Sequence, residues 1–210
     1  MNRRRGPDHL TRRAKREGFA ARSVYKLEEI DRRFRLFKGG QRVLDLGCAP
    51  GSWVKYAVNR VGRKGVVVGI DRRAIEVRAP NLFSLVGDVY QTEPDVFLHL
   101  AGGPFAVVIS DLAPDTTGDR FTDHVRSIDL CRRGLHLTDI LLCDGGAFVC
   151  KVFEGGDLND FVGEMKTRFE TVKRVKPKST RPESVELFLV GRGRRPRDGD
   201  RAQEGREVSS

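Results

Sequence analysis

No apolar run in the 210 residues approaches the roughly 18 that a membrane-spanning helix needs, so no membrane association is expected. Met1-Asn2-Arg3-Arg4-Arg5 lacks the apolar stretch of a signal peptide. The four cysteines, Cys48, Cys131, Cys143 and Cys150, form no C-x-x-C pair and have no histidine at ligand spacing. That argues against a zinc module and against a secreted disulfide scaffold, and fits a reducing cytosol. The four histidines, His9, His99, His124 and His136, are scattered and join no carboxylate at metal-ligand spacing, so no metal is expected. Neither G-x-G-x-x-G nor G-K-[ST] occurs, which disfavours a dinucleotide-dependent dehydrogenase and a P-loop enzyme. The expectation is a soluble, cytoplasmic, monomeric protein of one domain, since a domain takes about 150 residues.

What is present in excess is positive charge, +10 overall, and it is unevenly placed. Residues 1–22 carry eight Lys or Arg against two acids, whereas the 168 residues from 23 to 190 carry 25 against 23. The leading arm, residues 1–18, suits a polyanion such as nucleic acid through phosphate contacts and counterion release. A merely solvated basic tail is the plainer alternative.

Between the ends, short apolar runs alternate with helical stretches. Gln41–Gly47, Gly65–Asp71, Leu82–Val89, Phe105–Asp111 and Gly146–Phe153 are each bounded by Gly, Pro or Asp. Such runs read as strands buried on both faces of a parallel sheet. Val125, Ile128, Cys131, Leu135 and Leu142 form one apolar stripe of a helix over residues 124–143. Residues 157–169 read as a helix, 170–175 as extended and Val185–Val190 as a final strand. Val24, Leu27, Ile30 and Phe34 mark a helix within residues 19–34, ahead of the first strand. The expected fold is a doubly wound α/β sheet. The segment after Val190, and the tail 193–210 in particular, has almost no apolar residues and is expected to be disordered.

In such sheets ligands bind beyond the carboxyl ends of the strands. Asp71, Asp88 and Asp111 fall at or near those ends, and the first strand runs into Asp45-Leu46-Gly47-Cys48-Ala49-Pro50-Gly51-Ser52-Trp53. Its glycines permit a tight turn and close approach of a ligand to the backbone. An acid after the second strand suits a ribose diol, because a carboxylate accepts from both hydroxyls. One near the third strand suits an exocyclic amine. Turn glycines and helix-capping aspartates would produce much the same pattern.

These segments resemble a known family. Val43–Trp53 is similar to the S-adenosylmethionine loop of the FtsJ/RrmJ ribose 2′-O-methyltransferases, Ser110-Asp111-Leu112-Ala113-Pro114 to its S-D-[ML]-A-P segment, and Phe148–Phe153 to its F-V-x-K-x-F strand. The similarity runs from about residue 8 to 192, in the family's order. It implies a Rossmann-like class I methyltransferase domain over 19–192, with a seven-stranded, mostly parallel sheet whose last strand is antiparallel. It also implies S-adenosylmethionine as cofactor, with Gly47, Gly51 and Trp53 at the first turn, Asp71 at the ribose, Asp88 at the adenine and Asp111 at the methionine end.

The family works with a Lys-Asp-Lys-Glu tetrad. By resemblance Lys26 (in Arg22-Ser23-Val24-Tyr25-Lys26-Leu27), Asp111 and Lys151 are its first three members. In the family's K-P-x-x-S-R-x-x-S-x-E segment, matched here by residues 176–186, the register selects Glu186, with Glu183 as competitor. Each has a plainer reading. Lys26 lies only about 40° around the helix from Ile30 and could snorkel beside the apolar stripe. Glu186 could face solvent. Lys151 is harder to dismiss, because a lysine inside an apolar strand is almost never left unpaired.

Methyl transfer from a sulfonium to a hydroxyl is an in-line displacement, so the protein chiefly positions the reactants and handles the hydroxyl proton. A lysine serves this if its neutral form is accessible, and the reference value near 10.4 makes that depend on burial and neighbouring charge. Lys151 is expected to orient or deprotonate the hydroxyl, Asp111 and Glu186 to steer its amine, and Lys26 to stabilise charge on the oxygen. A ribose 2′-hydroxyl marks RNA. The compact single-domain form resembles the bacterial branch acting on a uridine of 23S rRNA in the large subunit. Arg3, Arg4, Arg5, Arg12, Arg13, Lys15 and Arg16 would then grip phosphates. The alternatives are the same chemistry on tRNA or another RNA, and a non-catalytic RNA-binding assembly factor.

Overall fold

The structure is a computed structural model that describes residues 9–181 and 183–196. Arg3, Arg4, Arg5 and the tail from 197 onward lie outside the described residues. Thirteen elements follow one another as α1 (His9–Arg16), α2 (Val24–Phe34), β1 (Arg42–Leu46), α3 (Ser52–Val61), β2 (Val66–Asp71), β3 (Leu82–Val86), α4 (Pro94–Ala101), β4 (Phe105–Ser110), α5 (Arg120–Leu141), β5 (Leu142–Phe153), α6 (Leu158–Arg168), β6 (Phe169–Val175) and β7 (Glu186–Arg194). The seven strands form one sheet in the order β3-β2-β1-β4-β5-β7-β6, with β7 antiparallel to both neighbours and the other pairs parallel. The order reverses direction between β1 and β4, and a crevice opens at that point in doubly wound sheets.

Strand alternation sorts side chains into two layers. Val43, Val67, Val107, Ile109, Val149, Phe188 and Val190 meet α2 and α3 on one face. Leu44, Leu46, Val68, Ile70, Val108, Phe148, Cys150, Val152 and Leu189 meet α4, α5 and α6 on the other. The same alternation puts Asp45, Lys151 and Glu186 on the α2–α3 face, because each is an even number of residues from a member of that layer. Residues 9–16, expected as part of a loose arm, form α1, whose Ala14 is buried against Val24 and Tyr25.

Four expectations are corrected. The strand β3 is an edge and is not buried on both faces: Phe83 and Val86 are exposed. The helix stripe breaks at both ends, since Val125 is exposed and Leu142 already belongs to β5. The helix before β1 starts at Val24, not at residue 19. The last strand continues past Val190 to Arg194, although its sequence there is polar. A central strand is held by ladders on both sides, and these do not require apolar side chains. Gly191 leaves room for the Phe169 ring, while buried Arg194 pairs with Asp144 at 2.5 Å and donates to the Asp139 carbonyl at 3.2 Å.

Candidate active site

The turn after β1 is shaped by two glycines in left-handed conformations, φ +82° at Gly47 and +106° at Gly51. A Cβ on Gly47 would stand 3.0 Å from the Leu112 backbone nitrogen, so the chains leaving β1 and β4 nearly touch. A Cβ on Gly51 would come within 2.7 Å of Val77 Cγ2. Asp71, ending β2, accepts from the Ala49 N–H at 3.0 Å and the Arg73 N–H at 2.9 Å, which fastens the turn to the second strand. Asp88 accepts from the Tyr90 N–H at 2.9 Å and the Arg72 guanidinium at 2.8 Å, and these partners hold its carboxyl below the usual range. Around them lies a cavity of about 970 Å³ lined by Gly47, Ala49, Asp71, Asp88, Asp111 and Val125, among others. Ligand sites typically span roughly 300–1,000 Å³.

The catalytic candidates meet beside this cavity. In the β4–β5 register Ser110 faces Cys150, so the next residues along, Asp111 and Lys151, come side by side. Lys151 Nζ stands 2.8 Å from Asp111 Oδ1 and donates to the Asp111 carbonyl at 2.8 Å. In the β5–β7 register Lys151 faces Phe188, and Glu186 faces Phe153. Glu186 is thus the diagonal neighbour of Lys151 on the same face, a spacing of about 7–8 Å. Lys26, on the helix covering that face, forms an ion pair with Glu186. Glu183 is exposed in the preceding turn and takes no part.

All four candidates therefore converge as two ion pairs, in which every side chain is at most 20 % exposed. Charges so withdrawn from water persist only when paired. The turn before β7 is itself fastened over Lys26. Glu29 accepts from the backbone N–H groups of Lys178 (2.7 Å) and Ser179 (3.0 Å), and Arg22 donates to the Ser179 carbonyl at 2.5 Å. Arg22 and Glu29 bracket Lys26 by about one helical turn each way.

Two of the expected cofactor residues, Trp53 and Gly51, lie outside the cavity lining. Trp53 is buried between α3 and β7, with its ring centroid 5.9 Å from that of Phe188 and its indole N–H donating to the Ser23 carbonyl at 3.0 Å. Gly51 is likewise absent from the lining, because it turns against Val77. Two residues were missed from the sequence: Glu29, whose spacing carries no signal for a partner 149 residues away, and Asp45. Asp45 is fully buried on β1, and among the described residues neither of its oxygens has a hydrogen-bond partner. Burial, reinforced by Asp111 and Asp71, pushes its carboxyl well above the ordinary range.

Residues 19–194 match the family described as FtsJ-like methyltransferase. The chain belongs to that family. It is 49 % identical over 190 residues to a Ribosomal RNA large subunit methyltransferase E of Nitratidesulfovibrio vulgaris, a match covering 90 % of this chain and 94 % of that one. It is 48 % identical to the protein of the same name from Bdellovibrio bacteriovorus, covering 88 % and 95 %. Among solved structures, that of a putative ribosomal RNA methyltransferase from Plasmodium falciparum superposes with a TM-score of 0.76 at 26 % identity, covering 85 % of this chain and 100 % of that one. The FtsJ-like membership makes the chain a methyltransferase. Its seven strands and antiparallel β7 agree with the sheet that the motifs implied. Among the described residues there is no helix long and apolar enough to cross a membrane and no cluster of three or more metal-ligating side chains.

Proposed function

We propose that this chain transfers a methyl group from S-adenosylmethionine to a ribose 2′-hydroxyl of RNA, on a uridine of the large-subunit 23S rRNA, acting as a cytosolic monomer. One observation carries the reading: Asp111 lines the cavity and its carboxyl group pairs with Lys151. A single residue thereby joins the place for a methyl donor to the place for a hydroxyl. The names of the curated relatives support ribosomal RNA as the substrate class.

The residues present fit the cofactor. Its charge is positive at the sulfonium and the ammonium, and the cavity wall carries Asp71, Asp88 and Asp111. The glycine turn leaves backbone room where side chains would intrude. When bound, S-adenosylmethionine supplies an electrophilic methyl group. Asp71 is suited to accept from the ribose hydroxyls, Asp88 from an exocyclic amine, and Asp111 to attract the cationic end.

Lys151 orients the 2′-hydroxyl and, once it has given up its own proton, takes that of the hydroxyl as the oxygen attacks. Asp111 and Glu186 fix the two amines, and the Lys26 ammonium stabilises negative charge as it builds on the oxygen. The cationic residues of α1 (Arg12, Arg13, Lys15, Arg16), together with Arg3, Arg4 and Arg5, contact phosphates of the substrate.

The test supplies tritiated S-adenosylmethionine to large subunits, naked 23S rRNA and tRNA from cells lacking the enzyme, followed by nucleoside analysis. Label should appear as 2′-O-methyluridine in the large subunit. Label on a base, or on tRNA alone, would refute the substrate assignment.

A further inference from the structure

Phe121 is the most exposed large apolar side chain among the described residues, at 73 %. A single exposed phenylalanine is ordinary on a protein surface, but the setting of this one is not. It lies in the first turn of α5, and that turn is rigidly built. Asp119 accepts from the Thr122 N–H at 2.8 Å, and Asp123 accepts from the N–H groups of Thr117 (2.7 Å) and Gly118 (3.2 Å) and from the Thr117 hydroxyl (3.0 Å).

The next turn is fastened to the end of the strand that carries Lys151. His124 Nδ1 lies 2.9 Å from the Phe153 carbonyl, and the Phe153 N–H donates to Ser127 Oγ at 3.0 Å. Phe153 is the sheet partner of Glu186. One turn beyond Phe121, Val125 and Arg126 line the cavity. Phe121 is thus held at the rim between the cavity and the Lys151–Glu186 end of the sheet. Nearby apolar surface is also left uncovered at Val125 and at Val185, the residue before Glu186.

We propose that Phe121 is a stacking platform for an unstacked RNA base adjacent to the ribose that is methylated; this rests on the RNA reading above. Lys151 is buried, so a 2′-hydroxyl reaches it most readily from RNA that opens locally, and splayed bases are held by stacking on aromatic rings. The charge around the ring favours a nucleic acid. Asp119 and Asp123 are engaged by backbone N–H groups of their own turn, and Arg120 and Arg126 are exposed on either side. A rigid aromatic on a pre-organised turn gives contact area at low entropic cost.

The experiment measures KM and kcat for large subunits from cells lacking the enzyme, using the wild type, Phe121→Ala, Phe121→Leu and Phe121→Trp, with calorimetric affinity for S-adenosylmethionine and thermal melting alongside. Loss of a stacked base corresponds to about 5- to 150-fold. Phe121→Ala and Phe121→Leu should raise KM by that factor while cofactor affinity and melting temperature stay unchanged, and Phe121→Trp should restore KM. An unchanged KM in Phe121→Ala overturns the proposal, as does full restoration by leucine, which has no π-face. A wild type that transfers nothing to large subunits would instead refute the RNA reading itself.

Discussion

The two halves of the sheet's carboxyl edge hold their acids in opposite ways. On the β1–β3 side, Asp71 and Asp88 take backbone N–H groups, Asp71 from the β1 turn as well as from its own loop, and each has an exposed arginine beside it, Arg73 at 3.8 Å and Arg72 at 2.8 Å. On the β4–β7 side, Asp111 and Glu186 each face a lysine in a nearly closed environment. Backbone donors cannot leave and do not change charge, so the first half is a fixed mould. An amine can change both its partner and its protonation state, so the second half is the one that moves a proton in the proposed mechanism. Asp111 stands at the boundary.

Breaking the second half should have the largest effect. Lys151→Ala is expected to lower methyl transfer by about 10²- to 10⁴-fold, the usual range for a positioned proton acceptor. Calorimetry should still detect cofactor binding, because Lys151 is outside the cavity lining. Near-normal transfer by the folded variant would remove Lys151 from its role. Breaking the first half should do the reverse. Asp71→Ala removes a carboxylate and frees the N–H groups of Ala49 and Arg73. Charged hydrogen bonds contribute about 1.5–3 kcal/mol, so cofactor affinity should fall about 10- to 100-fold, with a smaller change in kcat at saturating cofactor.

The two halves also differed in how far they could be read in advance. Runs such as Val66–Ile70 and Phe105–Ile109 announce buried parallel strands, and the acids at their ends mark a site because strand ends are where such sheets bind ligands. The tetrad needed more than periodicity. Lys26 and Glu186 are 160 positions apart and both look like ordinary amphipathic residues, so only the family's motifs linked them. Asp45 was invisible because one acid inside Val43-Leu44-Asp45-Leu46 looks like a strand-end residue, and only packing shows that its oxygens are sealed. Trp53 shows the same limit: the motif puts it at the turn, and only the structure shows that its ring is packed in the core against Phe188. The reach of β7 to Arg194 was hidden because ladder bonds leave no trace in side-chain type.

The substrate side of the comparison is sharpened by α1. Deleting residues 1–16 would uncover Val24 and Tyr25, where Ala14 packs, and would confuse folding with binding. Lys15 and Arg16 are exposed at the end of the helix and make a cleaner target. Their double alanine variant should weaken binding to large subunits several-fold at low salt. It should also flatten the dependence of log affinity on log salt by about 0.7–0.9 per lost phosphate contact. An unchanged slope would move the phosphate contacts elsewhere.

The smallest expected effect concerns Asp45, the acid that neither half of the comparison satisfies. Its carboxyl is buried beside Asp111 and Asp71, so the folded chain keeps a proton that the unfolded chain releases above about pH 4. With more protons bound in the folded state, stability must fall as pH rises from about 4 toward the raised value, and this cost vanishes below that window. Asp45→Asn cannot ionise and escapes it. Any difference in how the amide and the acid are accommodated is the same at every pH, so the informative quantity is how the gap in melting temperature changes. The variant's melting temperature relative to the wild type should climb between pH 4 and pH 8, by about 2–4 °C for each kcal/mol of linkage in a chain of this size. A gap independent of pH would mean that Asp45 is ionised in the folded protein and has a cationic partner, and the division between a fixed mould and a proton-moving half would have to be redrawn to include β1.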